Sequence, residues 1–239
     1  MKIQIIPCLQ DNYSYLIIDE ENNIACVIDP SEADPIIKYL EENNIKLKFI
    51  LNTHHHYDHV GGNQKLKEKY GASIIGYKGD KERIPGIDIL LNDQETWIHK
   101  NFEAKIIHVP GHTLGHICLY FYKEESVFTG DTLFSLGCGK IFEGTYTQMF
   151  NSLMKLKKLP KNTKVYCGHE YTLQNSKFCM VHDENNENLK AKINDIKIKL
   201  KTSLSTIPST IKDELECNIF LRSNSVETFS KLRDLKDNF

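Results

Sequence analysis

The chain has 239 residues, of which 40% are hydrophobic and 26% charged, and it carries a formal net charge of −2. This is the make-up of a globular protein with one large domain, or a main domain and a small one, and its charge balance gives no general affinity for nucleic acid. No apolar run approaches the ~20 residues needed to span a bilayer, and the N-terminus, Met1-Lys2-Ile3-Gln4-Ile5-Ile6-Pro7, lacks a signal-peptide core.

In chain order, short runs rich in Val, Ile, Tyr and Phe read as strands at 2–6, 15–18, 25–28, 48–51, 73–75, 105–109, 117–122, 126–128 and 164–167. Between them, Ser31-x-x-Asp34 is expected to cap a helix running through Tyr39-Leu40, and 61–70 reads as an amphipathic helix with its lysines outward. After about residue 170 the strand signal stops. Residues 186–204 place Leu189, Ile193, Ile196, Ile198 and Leu200 at roughly helical spacing, and 226–235 is a further short helical pattern. Strands followed by a helical tail predict an α/β (α+β) main domain over 1–169 and a small helical domain over 170–239.

Seven scattered cysteines with no Cys-x-x-Cys pair suit buried thiols in a reducing compartment, so a cytoplasmic location is expected. Among 30 basic residues only Arg83, Arg222 and Arg233 are arginines, so these stand out as positions where lysine is not accepted.

The most informative segment is Asn52-Thr53-His54-His55-His56-Tyr57-Asp58-His59-Val60-Gly61-Gly62, which follows the hydrophobic run Phe49-Ile50-Leu51. Residues two apart on an extended chain point the same way, so His54 and His56 present imidazoles to one side while His55 points away. The Gly61-Gly62 pair lets the chain turn tightly, with Asp58 and His59 in the turn, facing a second ion. Imidazole and carboxylate donors suit Zn, Fe or Mn better than Ca or Mg. Two ions need further ligands, and three strand ends offer them. His112 follows a Pro-Gly turn, Asp131 follows Thr-Gly with two oxygens able to bridge both ions, and His169 follows Cys-Gly.

His-x-His-x-Asp-His followed by His112, Asp131 and His169 resembles the metallo-β-lactamase superfamily. The similarity is closest to the glyoxalase II family of hydroxyacylglutathione hydrolases. It extends through Ile6-Pro7-Cys8-x-x-Asp11-Asn12-Tyr13, Gly130-Asp131-Thr132-Leu133-Phe134, Gly137-Cys138-Gly139-Lys140 and Cys167-Gly168-His169-Glu170-Tyr171-Thr172. The resemblance implies an αββα sandwich with a C-terminal helical domain. It also implies one ion on His54, His56 and His112, another on Asp58, His59 and His169, and Asp131 between them. It further implies that Lys140, Phe142 (Tyr in some relatives), Tyr171, Arg233 and Lys236 receive glutathione. On a helix Arg233 and Lys236 share a face, and with Lys140 they offer charge-assisted bonds to the substrate's glycine carboxylate. Two departures bear on this helical part: Ile219 stands where the family has Pro, and His182-Asp183-Glu184 lacks the usual Glu-Pro.

The implied activity is hydrolysis of S-D-lactoylglutathione and related thioesters, as in methylglyoxal detoxification, by a monomer that uses no nucleic acid or membrane partner. The expected cofactors are two divalent ions, zinc first, with Fe or Mn as alternatives. The expected catalyst is a metal-bound water polarised with Asp58 and Asp131 as ligands, because such ions lower water's pKa to about 7. A thioester departs as a thiolate whose thiol has a pKa of about 8.5, so no strong general acid is required. Competing signatures are weak. No Gly-x-Ser-x-Gly elbow or His-Glu-x-x-His helix occurs, and Gly137-Cys138-Gly139 lacks the third glycine of a dinucleotide loop. A persulfide dioxygenase would need only one iron, a nuclease would usually carry an extra domain, and a silent interaction module would have lost ligands. His116 and Glu143 are candidates for supporting roles around the ligands.

Overall fold

The computed structural model describes residues 1–239, which fall into two compact units: Met1–His108 with Gly115–Glu124, and Val109–Leu114 with Glu125–Phe239. The first unit opens with β1 (Lys2–Cys8), β2 (Asn12–Asp19) and β3 (Ile24–Ile28), continues through α1 (Asp34–Glu42) to β4 (Lys46–Leu51), then α2 (Tyr57–Val60), α3 (Asn63–Tyr70), β5 (Ser73–Tyr77) and β6 (Ile89–Leu91). Strands β1 to β6 lie side by side in chain order, antiparallel from β1 to β3 and parallel from β3 to β6. Parallel pairs need crossover connections, and α1 and α3 supply them. Their apolar sides, Ile36 and Leu40 on α1 and Leu66 on α3, close a core with Leu16, Val27, Leu47, Ile50 and Ile74. The unit ends with β7 (Thr96–His99), β8 (Phe102–His108) and β9 (Ile117–Phe121), paired antiparallel in succession.

In the second unit β10 (Ser126–Gly130) is followed by a two-stranded ribbon, β11 (Leu133–Phe134) and β12 (Gly137–Cys138), then α4 (Tyr146–Leu156) and β13 (Lys164–Cys167). Helices α5 (Thr172–His182), α6 (Glu187–Lys201), α7 (Ile211–Cys217) and α8 (Val226–Asp237) complete it, with β14 (Ser209–Thr210) before α7. Strand β10 pairs parallel with β13, and β14 adds antiparallel to β13. A strand therefore does occur after residue 170, too short at two residues to leave a hydrophobic pattern. Capping boxes at Thr145 and Thr210 start α4 and α7, each contributing roughly 1 kcal/mol by satisfying end amides.

Three local expectations change. Helix α1 is not capped by Ser31: its N-cap is Ala33 without a side-chain bond, and a proline in the first turn sets the start. The expected 61–70 helix starts two residues later, as α3, and Asp58 and His59 sit on a separate single helical turn, α2, rather than in a loop. Gly61 and Gly62 have ordinary helical φ values of −60° and −83°. They are glycine for closeness rather than flexibility, since a Cβ would lie 2.5 Å from the Ser31 carbonyl oxygen at Gly61 and 2.9 Å from that of Pro30 at Gly62.

Candidate metal centre

In the first unit the register of β3 and β4, with Ile28 beside Leu51, brings both strands out of the sheet at the same edge. Carboxyl ends of parallel strands are where open α/β sheets place their sites. Asp29 leaves β3 there in the left-handed region (φ 47°), which Asp tolerates better than most residues. Its carboxylate accepts from the Thr53 N–H at 2.7 Å, the Thr53 hydroxyl at 2.6 Å and His59 Nδ1 at 2.9 Å.

That arrangement fixes two imidazole tautomers. His59 Nδ1 must carry the proton it gives to Asp29, which leaves Nε2 with its lone pair, 3.5 Å from Asp58 Oδ2. Thr53 has one hydroxyl proton and directs it to Asp29, so at 3.0 Å it accepts from His54 Nδ1, and His54 also exposes Nε2 as a base. A metal-ligating histidine is oriented in this manner, by a carboxylate or oxygen on its far nitrogen. Asp29, His54 and His59 offer donor atoms within 4.8 Å of one another. Asp29 itself is a positioning residue, since both of its oxygens already accept hydrogen bonds.

The rings of His54 and His56 stand 4.7 Å apart and those of His54 and His59 4.2 Å apart, so the unit gathers His54, His56, Asp58 and His59. His55 points elsewhere, to Asp80 at 3.2 Å. Asn12 holds Asp58 through Oδ2 at 3.0 Å, and His116, fully buried, stacks on His54 at 4.6 Å. Asn52 reaches the His59 carbonyl at 3.0 Å and pairs with Asn63.

The second unit repeats the device. The parallel register of β10 and β13 brings Gly130 beside Cys167, so Asp131 and His169 emerge together, and the Gly168 N–H donates to the Gly130 carbonyl at 2.9 Å. Gly130 has φ 45°, a left-handed backbone that favours glycine just before Asp131. His112 Nδ1 lies 2.8 Å from the Lys140 carbonyl, an acceptor only, so Nε2 again carries the lone pair. Asp131 Oδ2 stands 3.5 Å from His112 Nε2 and 3.4 Å from His169 Nε2. All three side chains are buried.

The expected substrate-binding residues also lie in this unit. Phe142, 61% exposed, sets its ring edge-on to His112 at 5.2 Å, and Tyr171, 38% exposed, stacks on His169 at 4.6 Å with 6° between planes. Lys140 places Nζ 5.9 Å above the Phe142 ring. Arg233 is only 5% exposed; its Nη1 donates to the Cys138 carbonyl at 2.8 Å and its Nη2 to Asp237 at 2.9 Å. Lys236 extends Nζ to within 5.2 Å of the Phe178 and Phe239 rings. Glu143 accepts from the Leu114 N–H at 2.7 Å.

Asp29 falls outside the motifs that carry the resemblance, and Asn12 falls inside one of them without an assigned role. The signal was present in a lone Asp ending a β-branched run, which ordinarily reads as a turn residue. Only the pairing of β3 with β4, across 24 positions, gives it meaning.

Comparison with known proteins matches residues 10–169 to the metallo-β-lactamase superfamily and residues 170–239 to the hydroxyacylglutathione hydrolase C-terminus. A hydroxyacylglutathione hydrolase of Pelagibacter ubique (strain HTCC1062) is 77% identical over 239 residues, all of both chains. One of Nostoc punctiforme (strain ATCC 29133 / PCC 73102) is 43% identical over 257 residues, again covering both chains fully. Among solved structures, the BLEG-1 B3 metallo-β-lactamase superposes with a TM-score of 0.73 at 22% identity, covering 93% of this chain and all of that one, which shows the fold. The two imidazole–carboxylate groups, with this kinship, support a dinuclear metal site. The chain belongs to the metallo-β-lactamase superfamily and, within it, to the hydroxyacylglutathione hydrolases.

Proposed function

We propose that this protein hydrolyses S-D-lactoylglutathione and related 2-hydroxyacylglutathione thioesters to glutathione and the 2-hydroxy acid, as in methylglyoxal detoxification. One observation carries the reading: the two exposed aromatic residues expected to receive substrate adjoin the candidate metal-binding imidazoles, Phe142 edge-on to His112 and Tyr171 stacked on His169. A ligand seated on them is held against metal-binding imidazoles. Lys140 and Lys236 offer ammonium groups to the glycine carboxylate of glutathione. Arg233 serves the same end by holding the Cys138 carbonyl, two residues before Lys140.

The donor set fits two divalent ions, with zinc proposed. His54, His56 and His112 would hold one, Asp58, His59 and His169 the other, and Asp131 both. When bound, such ions acidify water to a pKa of about 7 and polarise a carbonyl. The chain's own part is to keep each basic Nε2 aimed, which Asp29, Thr53 and the Lys140 carbonyl do. The thiolate of glutathione leaves without a protein acid, since its conjugate thiol has a pKa of about 8.5. A cytoplasmic setting is supported by seven buried thiols, and no helix is long and apolar enough to cross a membrane.

The decisive experiment is metal quantification alongside hydrolysis of a panel of glutathione and coenzyme A thioesters. Two ions per chain with preference for 2-hydroxyacylglutathiones is expected. One iron per chain with oxygen uptake and no thioesterase activity would overturn the proposal. In the same panel Lys140→Ala is expected to raise KM with metal content unchanged.

A further inference from the structure

The ribbon β11–β12 pairs Leu133 with Cys138 and Phe134 with Gly137. So short a ribbon leaves most of its backbone carbonyls without ladder partners, and a buried carbonyl left so costs about 1–3 kcal/mol. Here five carbonyls in succession are taken by side chains of the helical segment. Asn218 Nδ2 donates to Phe134 at 3.3 Å and to Gly137 at 3.0 Å, Asn175 Nδ2 to Ser135 at 3.1 Å, Cys179 Sγ to Leu136 at 3.2 Å and Arg233 Nη1 to Cys138 at 2.8 Å. The Leu136 N–H in turn donates to Glu214 Oε2 at 2.8 Å, which also accepts from Asn218 at 2.9 Å. All five side chains are buried. A Cβ on Gly137 would lie 2.5 Å from Asn175 Nδ2, so the backbone is pressed against its donor.

Both ends of this ribbon support metal ligands. On the entering side Asp131 lies two residues before Leu133, whose carbonyl accepts from the Thr129 hydroxyl at 2.7 Å. On the leaving side the Gly139 N–H donates to the Thr132 carbonyl at 3.3 Å, and a Cβ on Gly139 would fall 1.9 Å from the Asp131 carbonyl oxygen. Next comes Lys140, whose carbonyl sets the His112 tautomer. The chain of bonds is continuous from α5, α7 and α8 to two ligands.

We propose that Asn175, Glu214, Asn218 and Arg233 are positioning residues for His112 and Asp131, acting through the ribbon 133–138, so that the helical segment sets metal affinity. This rests on the reading of His112 and Asp131 as metal ligands. The geometry distinguishes such a role from general packing, because only side chains bonded to the ribbon should matter.

The test is zinc affinity of metal-stripped full-length protein, measured by competition with a chromophoric chelator, together with the visible spectrum of the cobalt-loaded form. Asn218→Asp keeps the acceptor used by the Phe220 and Leu221 amides but removes both donors to the ribbon. Asn175→Leu removes the donor to Ser135 at similar volume. Each is expected to raise the zinc Kd about tenfold or more and to alter the cobalt spectrum. Leu189→Ala, fully buried in α6 and unable to bond the ribbon, should lower the melting temperature of the metal-free protein while leaving Kd unchanged. Parental affinity in both asparagine variants, or an equal loss in Leu189→Ala, overturns the proposal. If Asn218→Asp does not fold, Asn175→Leu makes the same comparison. His112→Ala separates the two readings: if it keeps parental zinc binding, the ligand assignment fails; if it loses zinc while the asparagine variants do not, only the positioning role fails.

Discussion

Asp29 accepts three hydrogen bonds within the core of the first unit, and two of them decide which nitrogen His54 and His59 present. Asp29→Ala is therefore expected to weaken metal binding by about 10–100-fold, the usual effect of losing the group behind a ligand. The check is chelator competition on protein whose far-UV circular dichroism is unchanged; parental affinity would show that the tautomers are set elsewhere. Gly61 makes a purely steric prediction. Its missing Cβ would meet the Ser31 carbonyl oxygen at 2.5 Å, so Gly61→Ala should lower stability by about 1–3 kcal/mol in urea unfolding. A neutral result would mean that the Ser31 segment yields. At this scale the candidate ligands are legible because their chemistry resides in residue type and tight spacing, His54 to His59 above all. Asp29 is not, since it acquires its role from neighbours far along the chain, Thr53 and His59, whereas His116, expected in a supporting role, stacks on His54.

Helix α7 places Glu214 fully buried against the ribbon, and burial pushes its carboxyl up to about 7 despite bonds from Asn218 and the Leu136 amide. The unfolded chain releases this proton near the ordinary 4.5, so between about pH 4.5 and 7 the folded state binds more protons. Stability contributed by this group is thus full below that window, falls as pH rises through it by up to roughly 3 kcal/mol, and is level above it. In metal-free protein the stability difference between parent and Glu214→Gln should consequently change across the window, read from urea midpoints at several pH values. A difference independent of pH would place the proton elsewhere. The same element illustrates where patterns give out. Long β-branched runs such as 15–18 and 117–122 announced β2 and β9, but α7 is seven residues and β14 two, too short for a period. Strands β6 and β7 expose Leu90 and Ile98, so their apolar residues do not mark one buried face. The helical tail was readable over α6 and α8, while α4 and α5 passed unnoticed although α4 buries Met149, Leu153 and Leu156 and α5 buries Phe178 and Cys179.

Across the whole molecule the seven cysteines report on opening. All are buried, and burial raises the Cys167, Cys179 and Cys217 thiols to about 12 and the Cys26 thiol further. A neutral, enclosed thiol is a poor nucleophile, so an aromatic disulfide reagent should find no fast cysteine in the native protein and seven after unfolding in urea. That silence makes labelling a gauge of metal stabilisation. Ions that bind only the folded state stabilise it by about 2.7 kcal/mol at a free concentration of 100 Kd. Chelation removes that term for each ion lost, so labelling through the unfolded state should accelerate by about 100-fold per ion at every cysteine. The pattern among cysteines carries further information, because openings can be local. Cys138 lies in the ribbon and Cys167 two residues before His169, whereas Cys26 lies in the middle of β3. Acceleration confined to Cys138 and Cys167 would mean that the ions pin strand ends and leave the first sheet's stability untouched. Equal acceleration at Cys26 would mean that metal and global fold are one cooperative system. Unchanged rates at all three, with metal demonstrably removed, would contradict metal stabilisation of the native state altogether.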